Sequence, residues 1–285
     1  MTAHSSSLGA KLLKPREKLQ LARQSLLRRI GGLHFDPSDF EITHFTLDVP
    51  TLHDTFDGFR LVHISDIHLG QWISPNRLEG VVGLVNQQKP DVIAITGDFV
   101  SFAIDPVISD LKRSLHKLAP KFVALAVMGN HDHWMGTEKV NRALLESNIT
   151  TLNNDIYTIR KGDDSLHFAG VDDVMAHQDN LEQVLSKLPS TDPAILLVHE
   201  PDFAEVSSAT GRFVLQLSGH SHGGQFVLPK IGPPIRGAYF KKYPIGRYRV
   251  NDMIVYTSRG LGANTVWLRI NCPPEITIIT LRAGS

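Results

Sequence analysis

Short apolar runs that alternate with helical apolar periodicity are the feature of this 285-residue chain that most restricts its fold. The runs at 59–64, 92–95 and 122–128 have the length and composition expected of buried strands. A helix is predicted after each of the first two runs, because Ser74-Pro75 and Asp105-Pro106 each supply an N-cap followed by a first-turn proline. Two consecutive strand–helix–strand units predict parallel strands joined by right-handed crossovers.

The second half of the chain predicts more strands and one more helix, so residues 34–285 are expected to form one α/β domain with a mixed sheet or two sheets. Residues 155–171 have the pattern of a hairpin, and residues 223–246 are rich in Gly and Pro and are expected to form a loop. The other predicted elements are a helix at 181–188 and strands at 195–198, 213–217, 253–256, 266–270 and 276–281.

Carboxylate, amide and imidazole side chains follow five of the apolar runs, directly after each run ends. Asp66 and Asp98 are 32 positions apart, and Asp98 and Asn130 are again 32 positions apart, about the length of one strand–helix unit. Because the carboxyl ends of parallel strands meet at one edge of a sheet, we expect these side chains to converge. The residues placed there are Asp66, His68, Asp98, Asn130, His131, Asp132, His199, His220 and His222.

These residue types are the ones that bind divalent metal ions. Carboxylates, an amide oxygen and imidazoles, without a thiolate, suit Mn, Fe or Zn better than a structural zinc site. The set is too large for one ion and favours two, with Asp98, on the turn after Gly97, able to bridge them. Taken singly, each motif also fits a loop cap, a turn or a buried histidine, but the five in order favour a metal site.

The five motifs resemble those of the calcineurin-like metallophosphoesterases, over residues 58–282. The family pattern is D-x-H, GD, GNH[DE], a later histidine and GHxH. In this chain the pattern falls at 66–68, 97–98, 129–132, 199 and 219–222, with no position substituted. The resemblance implies an α/β fold, a four-layer αββα sandwich of two mixed β-sheets, with a two-metal centre between its loops.

Carried over position by position, the resemblance implies a role for each motif residue. His131 would stabilise the phosphoryl transition state or protonate the leaving group, and Asp132 would orient His131. The implied reaction is hydrolysis of a phosphoric ester by a hydroxide that two metal ions share. The implied ligands are Asp66, His68 and His222 for the first ion and Asn130, His199 and His220 for the second, with Asp98 bridging both.

Finer motifs at 223–225, 243–246, 258–262 and 272–276 resemble one bacterial branch of the family. That branch includes membrane-associated phosphodiesterases and UDP-2,3-diacylglucosamine hydrolases. It implies a small-molecule phosphodiester or pyrophosphate substrate, either lipid-linked or a nucleotide sugar. A nucleotide phosphodiesterase and a protein phosphatase remain open. So does a noncatalytic scaffold of the same fold, although such a protein would be expected to lack some of the ligands.

A basic and aromatic stretch at 236–259 has two interpretations. It could bind a second phosphate and a base or sugar, or it could be a solvated loop with ordinary surface charges. Within this stretch, Arg259 is the residue expected to lie near the site and bind substrate. The single cysteine, Cys272, excludes an internal disulfide and is expected to be buried.

The formal net charge is zero, from 29 basic and 29 acidic residues, but the charge is divided unevenly. Residues 1–33 hold seven bases and one acid, which gives +6, so residues 34–285 carry −6. The balance argues against a general polyanion-binding protein, and no specific nucleic-acid partner is expected. Within residues 11–30 the apolar positions follow helical spacing, and such a basic amphipathic helix can contact an anionic membrane or pack on its own domain.

The sequence pattern predicts neither an export signal nor a membrane anchor. No apolar run approaches the ~18 residues of a membrane span. Arg28-Arg29 resembles a twin-arginine signal but lacks the apolar stretch that must follow it. The sequence therefore predicts a cytoplasmic protein with peripheral membrane contact through residues 11–30 as an alternative, and it leaves the oligomeric state open.

Overall fold

The computed structural model describes residues 34–234, 236–263 and 267–284. Two six-stranded sheets pack face to face, with helices on the outer face of each. This arrangement confirms the predicted four-layer αββα sandwich. The predicted basic segment at 1–33, with its membrane contact through residues 11–30, lies outside the described residues. Among the described residues, none of the helices has the length and apolar character needed to cross a membrane.

The strands and helices are numbered here in chain order. The strands are β1 Glu41–Val49, β2 Arg60–Ile64, β3 Val92–Thr96, β4 Val123–Val127, β5 Ile149–Thr151, β6 Asp155–Lys161, β7 Asp164–Gly170, β8 Ala194–Leu197, β9 Phe213–Ser218, β10 Gly246–Val250, β11 Met253–Thr257 and β12 Glu275–Ala283. The α-helices are α1 Pro75–Gln87, α2 Ile108–Leu115, α3 Asn130–Met135, α4 Thr137–Leu145, α5 Leu181–Lys187 and α6 Ala204–Ser207.

Both sheets are mixed. The first has the order β1-β12-β2-β3-β4-β5, with only the β12–β2 pair antiparallel. The second has the order β10-β11-β9-β8-β7-β6, in which the central pairs are parallel and the two edge pairs are antiparallel. The adjacent parallel strands β2, β3 and β4 therefore end at one edge, as the sequence predicted.

Side-chain alternation along the strands separates three apolar layers. In β3, Ile93 and Ile95 pack with the helices on the outer face, whereas Val92 and Ala94 pack between the two sheets. This follows from the two-residue period of a strand, which sends successive side chains to opposite faces. A third layer packs the outer face of the second sheet against α5 and α6.

Two sequence predictions are wrong in detail. The helix after Asp105-Pro106 begins only at Ile108, with no side-chain cap, and Asp105 instead pairs with Lys139 on the surface. Of the predicted strand at 266–270, the structure describes 267–270, which form only an isolated bridge between Ile270 and Phe226. The apolar pattern there reflects a surface segment, because Leu268 and Ile270 are exposed.

Candidate metal centre

The motif residues meet where strands of both sheets end. Asp66 follows β2, Asp98 follows β3 and Asn130 begins α3 directly after β4. His199 follows β8, and the pair His220 and His222 follows β9 in the second sheet. The site is therefore built from the loops at the carboxyl ends of five strands, which is where open α/β sheets form their sites.

One group of four ligand atoms lies on the side of β2. The donor atoms of Asp66, His68, Asp98 and His222 all lie within 4.8 Å of one another, and all four residues are buried. His68 Nε2 is 3.1 Å from His222 Nε2, and His222 Nε2 is 3.4 Å from Asp66 Oδ1. Four such donors converging on one point form a set that can hold a divalent cation.

A second group lies on the other side of Asp98. His199 Nε2 is 3.3 Å from Asp98 Oδ2, and His68 Nε2 of the first group is also 3.3 Å from that oxygen. His220 Nδ1 is 3.1 Å from Asn130 Oδ1, and the rings of His199 and His220 have their centroids 5.0 Å apart. Asp98 therefore has one oxygen that faces both groups.

The outer nitrogens of two histidines are held by hydrogen bonds that turn the inner nitrogens toward the centre. His199 Nδ1 donates to the carbonyl oxygen of Thr96 at 2.7 Å, so its Nε2 carries the free electron pair. This Nε2 is buried, and it lies 3.3 Å from Asp98 Oδ2. His68 Nδ1 is similarly 2.7 Å from Ser101 Oγ. A buried imidazole nitrogen and a buried carboxylate oxygen 3.3 Å apart are donors that could bind the same metal ion.

The backbone at the centre is strained. Five ligand residues have φ between 47° and 67°, in the left-handed region that residues other than glycine rarely adopt. Such conformations cost of order 1 kcal/mol or more each and persist where the surroundings fix them, most often at functional sites. The five residues are Asp66, His68, Asp98, His220 and His222.

Two motif glycines are required by close approach. A Cβ atom at Gly97, which has φ +82°, would lie 2.7 Å from the backbone nitrogen of Gly129 and 2.7 Å from His199 Nδ1. A Cβ atom at Gly219 would overlap Ser65 Oγ and the carboxylate of Asp66. The glycines therefore let the ligand loops of the two sheets come into contact.

Burial and mutual charge favour the metal-binding protonation states of Asp98, His220 and His222. Burial acts to raise the pKa of Asp98, but attraction to His199 and His131 outweighs it and holds that pKa well below its usual range. Burial, reinforced by repulsion from His199, lowers the pKa of His220 to about 3. Burial also lowers the pKa of His222 well below its usual value. Ionised carboxylate and neutral imidazole are the forms that bind metal ions. Burial raises the pKa of Asp66, and attraction to Asp98 outweighs burial and raises the pKa of His199 well above its usual value.

His131 lies beside the first group. Its ring centroid is 4.8 Å from that of His68, and its Nδ1 donates to the carbonyl oxygen of Ser101 at 3.1 Å. Its backbone N–H donates to Asp98 Oδ1 at 2.9 Å. Trp134 and Phe102 flank the ring with centroids at 4.7 and 5.6 Å. Burial lowers the pKa of His131.

Asp132, which the sequence predicts to orient His131, has a carboxylate that contacts the backbone of two neighbouring loops. It accepts four backbone N–H groups, and the ring nitrogen of His131 is held by Ser101. The donors are Asp98 at 2.9 Å, Phe99 at 2.9 Å, Val100 at 3.3 Å and Gly129 at 3.0 Å. Asp132 therefore ties the Asp98 turn to the start of α3.

Arg259, predicted to bind substrate, is engaged by carboxylates of the protein. Its guanidinium lies 3.1 Å from Glu275 and 2.9 Å from Glu41. Its side chain is 11% exposed and that of Glu275 is 3% exposed. This pairing joins the loop after β11 to β1 and β12.

Sequence analysis also missed two contacts beside the centre. His133 Nε2 lies 2.8 Å from Asp172 Oδ1, which ties α3 of the first sheet to the loop after β7 of the second. The carboxylate of Glu200, next to His199, accepts the backbone N–H groups of Val174 and Met175. In the sequence, the only indication that Glu200 lies beside the centre is its position between the predicted ligand His199 and Pro201.

Comparison with known proteins agrees with this geometry. The sequence pattern that defines the family described as "Calcineurin-like phosphoesterase" matches residues 59–224. The uncharacterized metallophosphoesterase YkuE of Bacillus subtilis is 36% identical over 88% of this chain and 88% of its own length. The phosphodiesterase YaeI of Escherichia coli is 31% identical over 88% of this chain and 92% of its own. A transmembrane protein with metallophosphoesterase domain from Danio rerio is 30% identical over 85% of this chain and 57% of its own.

The fold, the converging ligand set and these relatives define a metal-dependent phosphoric ester hydrolase. The chain belongs to the calcineurin-like phosphoesterase family, as its five motifs predicted.

Proposed function

We propose that the chain is a dinuclear phosphoesterase that hydrolyses a phosphodiester or pyrophosphate bond. The observation that carries this proposal is the position of Asp98, whose Oδ2 lies 3.3 Å from both His68 Nε2 and His199 Nε2. One carboxylate oxygen thus faces both groups of ligands, as a bridge between two ions requires. Residues 34–285 would form the catalytic domain and residues 1–33 a separate basic segment.

Each ion would take its ligands from both sheets, which explains why the loops of the two sheets meet here. Two divalent cations so held would polarise a phosphoryl oxygen and lower the pKa of a bound water. The ligand set, with oxygens and imidazoles and no thiolate, suits Mn, Fe or Zn. The first ion would lie among Asp66, His68, Asp98 and His222, and the second among Asp98, Asn130, His199 and His220.

His131 would act on the leaving group. Its Nδ1 is occupied by the Ser101 carbonyl, so Nε2 is the ring atom that can exchange a proton with the departing oxygen. Asp132 would serve this chemistry indirectly, by fixing the turn of Asp98 and the backbone of α3.

The proposed substrate is a small molecule with a diester or pyrophosphate linkage, lipid-linked or attached to a nucleotide sugar. Support comes from the name of the relative YaeI, a phosphodiesterase, and from the membrane-spanning relative of Danio rerio. The complete ligand set and the adjacent His131 side chain argue against a noncatalytic scaffold.

Metal stoichiometry tests the dinuclear centre. Purified protein loaded with Mn²⁺ and desalted should retain two equivalents. His222→Gln should lose the first ion and Asn130→Ala the second, so each variant should retain about one equivalent. The exposed His116→Gln serves as the matched control and should retain two. One equivalent in the unaltered protein, or no loss in either variant, would contradict a dinuclear site.

A substrate panel tests the reaction. We expect turnover of bis(p-nitrophenyl) phosphate that depends on added metal, and faster turnover of UDP-2,3-diacylglucosamine than of cyclic nucleotides or simple monoesters. A preference for cyclic nucleotides would favour the nucleotide phosphodiesterase. A phosphopeptide preference would favour the protein phosphatase, and an inert protein with both ions bound would favour the scaffold.

A further inference from the structure

Four exposed aliphatic side chains lie together on the segments that follow the metal centre. They are here called the aliphatic patch, and they are Leu228, Ile231, Leu268 and Ile270, with exposed fractions of 43, 70, 49 and 44%. Among the described residues, only eight large apolar side chains are at least 38% exposed, and half of them belong to the patch. Exposed apolar residues concentrated in one place usually mark an interaction surface.

Backbone hydrogen bonds join the two segments of the patch. The N–H of Val227 donates to the carbonyl oxygen of Ile270 at 3.0 Å, and the N–H of Ile270 donates to Gln225 at 2.9 Å. Gln225 in turn donates its N–H to His222 at 3.0 Å. The patch is therefore a fixed continuation of the loop that carries a metal ligand.

Arg269 accounts for the exposure of its two neighbours. Its guanidinium is turned into the protein, where it donates to the carbonyl oxygens of Arg259 at 2.8 Å and of Gly262. In an extended segment, neighbouring side chains point to opposite faces. Anchoring Arg269 inside therefore directs Leu268 and Ile270 to the outside, and the exposure of the pair is set by the fold.

The chain segment that carries half of the patch is rich in basic residues. Residues 223–249 contain six bases and no acid, although residues 34–285 as a whole carry an excess of six acids. Lys230 lies within the patch itself, between Leu228 and Ile231, and it is exposed. Lys242 is partly neutralised by Glu205, at 2.6 Å. Exposed aliphatic groups flanked by lysine and arginine are the combination that binds the interface of an anionic bilayer.

We propose that the aliphatic patch is a membrane-contacting surface that inserts shallowly among anionic phospholipids. The loop that carries His222 would then lie at the headgroup level, where a lipid-linked phosphoester presents its phosphate. The contact itself does not depend on catalysis, whereas this consequence for the substrate rests on the proposed function. The proposal concerns residues other than 11–30, for which the sequence predicted membrane contact.

Vesicle binding tests the proposal with the full chain. The double variant Ile231→Ser/Leu268→Ser is compared with Leu145→Ser/Val206→Ser, which removes two equally exposed aliphatic side chains elsewhere. The probe is a vesicle of equal parts phosphatidylcholine and phosphatidylglycerol, sedimented at low salt. We expect the patch variant to bind at least about tenfold more weakly, since two side chains lose their burial, and the control to bind like the unaltered protein.

Three further readouts separate the outcomes. Turnover of bis(p-nitrophenyl) phosphate without vesicles should be the same in all three proteins, which shows that the patch variant is folded. Equal vesicle binding by the patch variant and the unaltered protein would overturn the proposal. So would a dimer in gel filtration that the patch variant alone loses, because the patch would then join two copies. Vesicle binding without turnover would instead count against the proposed function.

Discussion

The backbone N–H of Asp98 donates to Oδ2 of Asp132 at 2.9 Å, and this contact fixes the turn that carries the shared carboxylate. Gly129 donates to the same oxygen, while Phe99 and Val100 share Oδ1. Asp98 has a φ of 57°, so its conformation must be held by its surroundings. Asp132 supplies that restraint from a position 34 residues along the chain.

Asp132→Asn should therefore destabilise the protein. The amide nitrogen of asparagine cannot accept a hydrogen bond, so two backbone N–H groups that now donate to one carboxylate oxygen would lose their acceptor. We expect the free energy of unfolding to fall by at least about 2 kcal/mol, since buried donors are left unsatisfied. Urea unfolding of the metal-free protein measures the change. Asp163→Asn, at an exposed hairpin position, is the control and should change little. If Asp132→Asn and the unaltered protein were equally stable, Asp132 would not be the residue that restrains the Asp98 turn.

His131→Gln should lower turnover without removing metal. Loss of a general acid typically costs a factor of roughly 10² to 10⁴ in rate. The ring of His131 lies beside the ligand group, with its Nδ1 on the Ser101 carbonyl, so the metal content should stay near that of the unaltered protein. Turnover and bound metal are measured on the same preparation. Loss of metal in parallel with turnover would make His131 a ligand instead.

Removal of metal should lower stability. The donor atoms of His199 and of the group around His68 are buried close together, and a bound ion would be attracted by the Asp66 and Asp98 carboxylates among them. A ligand at one hundred times its Kd stabilises the folded state by about 2.7 kcal/mol. Chelation should therefore lower Tm, and Mn²⁺ should restore it. The decrease in Tm on chelation should be smaller in His222→Gln than in the unaltered protein. An identical Tm of the unaltered protein with and without metal would count against the metal centre.

The contact between His133 and Asp172 should make stability depend on pH. The hydrogen bond to Asp172 raises the pKa of His133 despite an opposing effect of burial. Because the folded pKa is the higher one, the added stability is complete below the unfolded pKa of about 6.5. It is lost as the pH rises through the folded value. His133→Gln should thus cost more stability in urea at pH 6 than at pH 9. The exposed His116→Gln should show no such difference, and an equal cost at both pH values would refute the argument.

Arg259→Gln separates a structural role from substrate binding. The change would leave the buried Glu275 carboxylate without its guanidinium, and breaking a buried pair costs about 3–5 kcal/mol. We expect a large loss of stability, smaller in Arg259→Lys, with little change in KM for bis(p-nitrophenyl) phosphate in either. A raised KM at unchanged stability would restore the substrate-binding role that the sequence predicted.

The sequence predicted the architecture and the convergence of the motif residues because both follow from local patterns. Apolar runs and Ser74-Pro75 locate strands and helix starts, and parallel strands must end at one edge. The roles of Asp132 and Arg259 could not be predicted in the same way. Asp132 acts on backbone N–H groups whose direction depends on the finished turn. Arg259 pairs with Glu41, 218 residues away, which no local pattern identifies.

The left-handed backbone of five ligand residues has a consequence for how such a protein can be engineered. Glycine at any of these positions would relieve the local backbone strain. Each such replacement would also delete a ligand. The conformations of the ligand residues thus lower the folding stability of the metal-free protein. Variants chosen for stability should therefore be checked for metal binding as well.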